Sequence, residues 1–297
     1  TPLFWGCGDR QSGGEGETAS LRKVLQKVEL PPLGDDLPDK GGSEASGNEL
    51  PDIKDLEARA PDLPDGYRQL PDFAGIRDVE EKKRRFFRYM RGLLRAENAR
   101  IRRERYRLIR VHRAFLRGDS PEGRDRDWLR ELCRRYRESF EGGVDSELFR
   151  NLLIKVDIVP VELGVAQAAN ESAWGTSRFA RVGNNLFGQW CFEKGCGLVP
   201  LRRSPGSNHE VEAYANPRLS VRDYMENLNS HPAYREFRIT RYRQRRSGSG
   251  LDGSELAEGL LAYSGIGREY VRRLRSIMDQ YVAYRQQVVA QKKAEQE

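Results

Sequence analysis

The sequence has little of what metal or nucleotide chemistry requires. Its 297 residues include three histidines and four cysteines, and no glycine-rich phosphate loop. So few thiols and imidazoles do not readily supply the four ligands of a zinc site, and we expect neither a resident metal nor a cofactor. Long apolar runs are missing as well, and none approaches the ~20 residues that a membrane-spanning helix needs. Hydrophobic residues make up 37% of the chain and the mean hydropathy is -0.77, so part of the chain lies outside any packed core.

What the sequence does have is charge. The formal net charge is +7, carried mostly by arginine. Such a balance points to anionic partners: nucleic acid, phospholipid head groups or an acidic cell-wall polymer. The chain begins at Thr1 rather than methionine, from which we expect that an N-terminal segment has been removed. One reading of Phe4-Trp5-Gly6-Cys7 is the end of a lipoprotein signal, with Cys7 as the lipidated residue.

Residues 1–70 are rich in Gly, Pro, Ser and Asp and repeat Leu-Pro-Asp at Leu37, Leu50, Leu63 and Leu70. This composition cannot bury enough apolar surface to offset the entropy of ordering, so we read a disordered tether with one short helix at 20–29. Residues 71–140 read as a basic helical segment. There Phe86, Phe87, Met90, Leu93, Leu94, Ile101, Leu108, Ile109 and Phe115 recur at threes and fours, with arginines on the other side. That helix invites contact with an anionic membrane or wall; the blander reading is a solvated arginine face whose stems cover apolar surface. Nucleic-acid binding is the weaker alternative, since no aromatic platform accompanies the basic run.

Residues 141–287 read as a further, mainly helical domain, and 288–297 as a charged tail. Asp145 or Ser146 is placed to cap one helix, Pro160 to open the next, Ser220–Asp223 to form a capping box, and Asp252 to cap another. Between them 189–191, 198–202 and 211–214 are strand-like, a small β-excursion. Cys191 and Cys196 fit a hairpin turn closed by a disulfide, which points to an oxidising compartment. Two reduced thiols, or a zinc site shared with His209, are the alternatives. Cys133 reads as a small apolar residue packed on a helix.

The stretch 165–188 carries the chemistry. Ala166, Ala168 and Ala169 allow a helix to approach its neighbours closely, and Glu171 sits at that helix's end. A carboxyl desolvated there has its pKa raised and can serve as a general acid. Asn184 and Asn185 offer amides to a sugar polymer, and Trp174, Phe187 and Trp190 offer ring faces. The alternative is a Glu171 that pairs at a helix end among core aromatics.

Ala-Gln-Ala-Ala-Asn-Glu-Ser-Ala-Trp-Gly over 166–175, followed by Gly-Asn-Asn-Leu-Phe-Gly over 183–188, resembles the glucosaminidase-type peptidoglycan hydrolases, glycoside hydrolase family 73. The segments 189–201 and 229–234 are similar to its Bax-like branch. The resemblance covers roughly 140–285. It implies a mainly α, lysozyme-like helical domain with a small β-hairpin lobe, following the basic helical segment and the tether. It further implies cleavage of the β-1,4 bond between N-acetylglucosamine and N-acetylmuramic acid in the periplasm or cell envelope, with Glu171 protonating the glycosidic oxygen and Tyr263 orienting the acetamido group. The glutamate that serves as base in other members has no counterpart in 198–203. Glu193, Glu210 and Glu212 are candidate substitutes, and the substrate's own acetamido oxygen is another. A catalytically impaired peptidoglycan-binding module is the second reading of the whole.

Overall fold

The computed structural model describes residues 65–141, 143–201, 203 and 206–296. Cys7, the helix expected at 20–29 and all but the last few residues of the tether lie outside that set. Among the described residues, nine α-helices run in the order α1 (Val79–Leu116), α2 (Gly123–Arg135), α3 (Ser146–Lys155), α4 (Val161–Ser172), α5 (Arg178–Gly183), α6 (Pro217–Ser230), α7 (Arg235–Ser247), α8 (Gly253–Leu256) and α9 (Arg268–Ala294). Three short strands, β1 (Trp190–Cys191), β2 (Gly197–Leu198) and β3 (Glu210–Glu212), form an antiparallel sheet with β3 in the middle. The fold is therefore mainly helical with a small β lobe, as the sequence led us to expect. No described helix is long and apolar enough to cross a membrane.

The capping residues explain where the helices begin. Asp78 accepts from the Glu81 amide at 2.6 Å, Asp145 from Leu148 at 2.7 Å, and Asp252 from Ser254 at 2.8 Å, each satisfying an otherwise orphaned N–H. Pro160 stands one position earlier than expected, as the N-cap of α4. The capping box expected at Ser220–Asp223 is not one: α6 starts at Pro217 under Asn216, which leaves both residues inside the helix for other duties. α9 also continues through Ala294, so most of the expected tail is helical.

α4 is the hub of the packing, with α1 along one side and α9 along another. Its small residues make this approach feasible. A Cβ added at Gly164 would stand 2.6 Å from Leu94 Cδ2, so the two helices meet where one has no side chain. The apolar stripe of α1 joins the same buried cluster as Leu163, Val165 and Ala168 of α4, and as Tyr270, Leu274 and Met278 of α9. Phe115 is only partly buried at the edge, and Cys133 is a free, buried thiol in the cluster.

Several arginines that the pattern assigned to an outer face are structural. Arg105 of α1 donates to the carbonyls of Leu153 and Val156, at 2.6 and 2.8 Å. Arg241, 1% exposed, donates to the carbonyls of Ile154, Lys155, Asp157 and Ile158 and to Asn229 Oδ1. The four carbonyls are the end of α3 and the strap into α4, so Arg241 gathers a bend of backbone whose acceptors the helix ladder leaves open, and Asn229 Nδ2 adds a second donor to the Asp157 carbonyl at 2.9 Å. Asp157 balances the charge, pairing with Arg245 at 3.1 Å. Glu97 of α1 is fully buried and holds Arg100, Arg218 and Arg222, tying α1 to α6. Arg100 and Arg105 of α1 thus serve the interior of the fold and not an outer face.

Candidate active site

Glu171 occupies the last turn of α4, where the helix ends in two successive left-handed residues, Ala173 (φ 50°) and Trp174 (φ 60°). Non-glycine residues rarely adopt that conformation, and packing holds it here. Trp174 lies against Phe86 and Phe87, with centroids 5.7 and 5.4 Å away. Under the turn, a Cβ on Gly175 would come within 2.6 Å of Phe73 Cδ2, so the floor is built by a residue ahead of α1.

Burial pushes the Glu171 carboxyl up to about 7, against the lowering pull of hydrogen bonds from Asn170 and Tyr270. A group with that midpoint carries its proton about half the time at neutrality, as a general acid must. Its immediate partners are neutral. Asn170 Nδ2 donates to Oε1 at 3.0 Å, and the Tyr270 hydroxyl donates to the carboxyl. Behind Tyr270 the donors run in one direction: Gln167 Nε2 donates to the Tyr270 hydroxyl at 2.9 Å, and the Tyr224 hydroxyl donates to Gln167 Oε1 at 2.6 Å. Gln167 is wholly buried, so its amide orientation is fixed by both tyrosines. The sequence motifs do not single out Tyr270, and this relay went unread there. The signal available was a glutamine among the alanines of α4 one turn before the glutamate.

Tyr263 closes the same pocket. Its hydroxyl donates to the Phe187 carbonyl at 2.9 Å, while its ring stacks on Tyr270 at 5.7 Å. Burial, then the nearby Glu171 charge, holds its phenol well above the ordinary value, so it stays neutral.

The residues expected to meet sugar are not all free to do so. Phe187 is 2% exposed and its ring lies face to face with Tyr224 at 3.7 Å, so it is a core ring rather than a sugar platform. Asn185 is equally buried; its Nδ2 donates to the carbonyls of Gln189 and Glu212, and its Oδ1 accepts from Phe187, Gly188 and Gln189. It shapes the loop instead of reading a ligand. Asn184 caps α5 with φ 52° and donates to the Tyr214 carbonyl at 2.9 Å. Trp174 is half-buried in the helical wall, and Trp190 stacks on His209 at 4.1 Å.

The β lobe forms the other side. Cys191 and Cys196 are bonded, with Cα atoms 6.2 Å apart, so their sulfurs are not thiolates and the zinc alternative with His209 is excluded. Glu210, whose carboxyl lies near the two sulfurs, instead accepts from the amides of Gly195 and Gly197 at 3.1 and 2.8 Å. Those two backbone bonds draw its carboxyl below the usual range and leave it as a loop fastener. Glu193 is exposed in the turn. Glu212 differs from both: burial first, then the charge of Asp223, raises its carboxyl, and it is hydrogen-bonded to Tyr214.

Comparison with known proteins places the chain in a family. The family described as mannosyl-glycoprotein endo-beta-N-acetylglucosaminidase, the glucosaminidase family, matches residues 146–283, from the start of α3 into α9. The protein named Protein bax of Escherichia coli (strain K12) is 32% identical over 201 residues, which cover 68% of this chain and 70% of that protein. The chain belongs to the glucosaminidase family, in its Bax-like branch. It is accordingly a glycoside hydrolase. No solved structure matches it. The matched span holds Glu171, the tyrosine pocket and the β lobe of this glucosaminidase, but Phe73 and the whole of α1, which support them, lie outside it.

Proposed function

We propose that the chain hydrolyses peptidoglycan, cutting the β-1,4 bond between N-acetylglucosamine and N-acetylmuramic acid with Glu171 as general acid. The observation that carries this reading is the neutral, hydroxyl-lined setting of Glu171, whose carboxyl keeps a proton to about 7. In this role Glu171 delivers its proton to the glycosidic oxygen as the bond to the anomeric carbon breaks. Tyr263, neutral and anchored on the Phe187 carbonyl, positions the sugar beside it. The Cys191–Cys196 disulfide favours an oxidising compartment, hence the periplasm or cell envelope. Lipidation at Cys7 and contact of α1 with an anionic membrane or wall are compatible with that location. The internal pairing of Arg100 and Arg105 weakens the case for α1 and for nucleic acid alike.

Mass spectrometry of fragments released from purified peptidoglycan by the wild type and by Glu171→Gln tests bond and residue together. Reducing ends at N-acetylglucosamine, absent with the variant, support the proposal. Equal release by both proteins sinks it. The second reading, a binding module without turnover, is favoured by the occupation of Glu210 in the loop and would show as retention on peptidoglycan without any released reducing sugar.

A further inference from the structure

α1 carries a line of arginines that no described carboxylate answers. Lys83, Arg84 and Arg85 pair with Glu80 and Glu81, Arg100 with Glu97, Glu104 and Glu226, and Arg107 and Arg110 with Asp125. Between these groups stand Arg88, Arg91 and Arg95, spaced by three and four residues and hence on one face of the helix. Among the described residues none of the three has an ion-pair partner. Arg88 and Arg95 are exposed and Arg91 is half-buried.

α9 brings a fourth. Phe87 lies against Tyr281 and Tyr284, with ring centroids 5.4 and 5.5 Å away, and this contact draws the later turns of α9 onto the start of α1. Arg285, next to Tyr284 and likewise without a described ion-pair partner, comes within electrostatic reach of Arg91. Burial, then the charges of Arg285 and Arg95, draws the Arg91 guanidinium below its ordinary value, against the opposing pull of Tyr281 and Tyr284. Like charges at this spacing destabilise a helix unless an anion lies among them.

The chain itself arrives at this line. Tyr67 stacks on Tyr89 with centroids 5.2 Å apart, the Tyr89 hydroxyl donates to the Gln69 carbonyl at 3.0 Å, and a Cβ on Gly92 would collide with the Tyr67 hydroxyl. Gly92 shares a helix face with Arg88, four residues before it, and Arg95, three after, so Tyr67 meets α1 between those two arginines. The chain upstream therefore enters beside them. Its residues 35–62 hold nine carboxylates against Lys40, Lys54 and Arg59, in a protein whose overall charge is +7. From Asp62 to Asp65 the chain can reach ~10 Å, about the length of helix from Arg88 to Arg95. So short a link gives the carboxylates an effective concentration on the order of millimolar at the arginines.

We propose that the acidic segment 35–62 of this same chain occupies the arginine face formed by Arg88, Arg91 and Arg95 of α1 with Arg285 of α9. The occupant is intramolecular, so it competes with outside polyanions at every protein concentration. An anionic surface takes hold of α1 only by displacing it. The face lies apart from Glu171 and the tyrosine pocket, so the inference stands or falls independently of the glycan-hydrolase reading.

The test uses the full chain carrying Arg88→Lys and Arg95→Lys, exposed positions at which the charge is kept and an amine is gained. A carbodiimide, which joins amines to carboxylates in contact, should yield peptides linking α1 at these positions to 35–62 within one chain. The links should vanish in about 1 M salt, where charges are screened beyond ~3 Å. Absence of links to 35–62, or links only between two chains, would overturn the inference. A second measurement distinguishes the segment from a lipid as occupant, using vesicles of phosphatidylglycerol and phosphatidylcholine. The unmutated chain should bind them weakly, and a chain whose nine acids in 35–62 are replaced by the corresponding amides should bind about tenfold more tightly. Adding Arg88→Gln, Arg91→Gln, Arg95→Gln and Arg285→Gln should cancel most of that gain. Equal binding by the unmutated and amide chains would make lipid the occupant, and a gain that survives loss of the four arginines would be a matter of general charge; either result overturns the inference.

Discussion

Glu171 on the helical wall and Glu210 on the β lobe each accept two hydrogen bonds, yet their carboxyls move in opposite directions. Glu210 takes two backbone amides and is held ionised; Glu171 takes one side-chain amide and one phenol and is desolvated past them. A third carboxyl, Glu97, is buried more completely than either, and its arginines still overcome that burial and lower it. Burial alone therefore does not make an acid. The deciding factor is whether the donors around the carboxyl carry charge or a fixed backbone dipole, and the Glu171 pocket supplies neither. The supports differ in kind too. The helical wall is shaped by a continuous apolar cluster, whereas the lobe has three strands of two or three residues, closed by a disulfide and by Glu210.

The sharpest way to break the comparison is Glu171→Gln, for which we expect activity on peptidoglycan to fall by about 10²–10⁴ with circular dichroism unchanged. The same variant reports the electrostatics. With a folded midpoint of about 7, above the ordinary carboxylate value near 4, the wild-type folded state holds a proton that the unfolded chain releases across that interval. Wild-type stability therefore has a contribution that is full below the lower value and lost as pH rises through about 7. The Gln variant lacks that decline, so its Tm relative to wild type should be higher at alkaline than at acid pH. An offset that does not vary with pH would show the carboxyl to be unperturbed.

Replacing Cys191 and Cys196 by serine removes a short covalent loop worth about 2 kcal/mol by chain-entropy reasoning. The loss should fall on the lobe, read as faster protease cutting within 189–212 while the main Tm shifts little. A collapse of the main transition would mean that the two walls are not independent. Tyr270→Phe is milder. It deletes a hydrogen bond that lowers Glu171, so the alkaline limb of the kcat profile should move up by about one pH unit, with kcat on the acid side reduced. Smallest of all, Glu210→Gln should loosen the turn at Gly195 and Gly197 and leave the pH profile of kcat where it is. A shifted alkaline limb there would give Glu210 a part in the chemistry that its backbone partners argue against.

Local signals in the sequence reached far into the fold. Asp145 and Asp252 cap where short polar residues precede apolar periodicity, and the five-residue spacing of Cys191 and Cys196 closes as a hairpin. Glu171 at the end of an alanine-rich helix was legible for the same reason, since small residues announce close packing. What eluded the sequence is long-range. Phe187 looks like a sugar platform until Tyr224 of α6 covers it, and Ser220 looks like a cap until its hydroxyl is found accepting from the Leu186 amide at 3.1 Å. The Gln167 relay joins residues of α4, α6 and α9, and no periodicity records such a meeting. Arginines misled for a related reason: their stems and forks reach buried carbonyls as readily as solvent, and only the acceptors decide which.

The unit that folds and the span covered by the family model have different edges. The left-handed turn that follows Glu171 rests on Phe73, and α4 leans on Leu94, both upstream of residue 146. A polypeptide cut back to 146–283 would keep Glu171, Tyr263, Tyr270 and the β lobe and lose the floor beneath the acid. For gene fusions, proteolytic trimming or transplantation of this activity, the boundary that matters lies before Phe73, in a stretch that the family model does not cover.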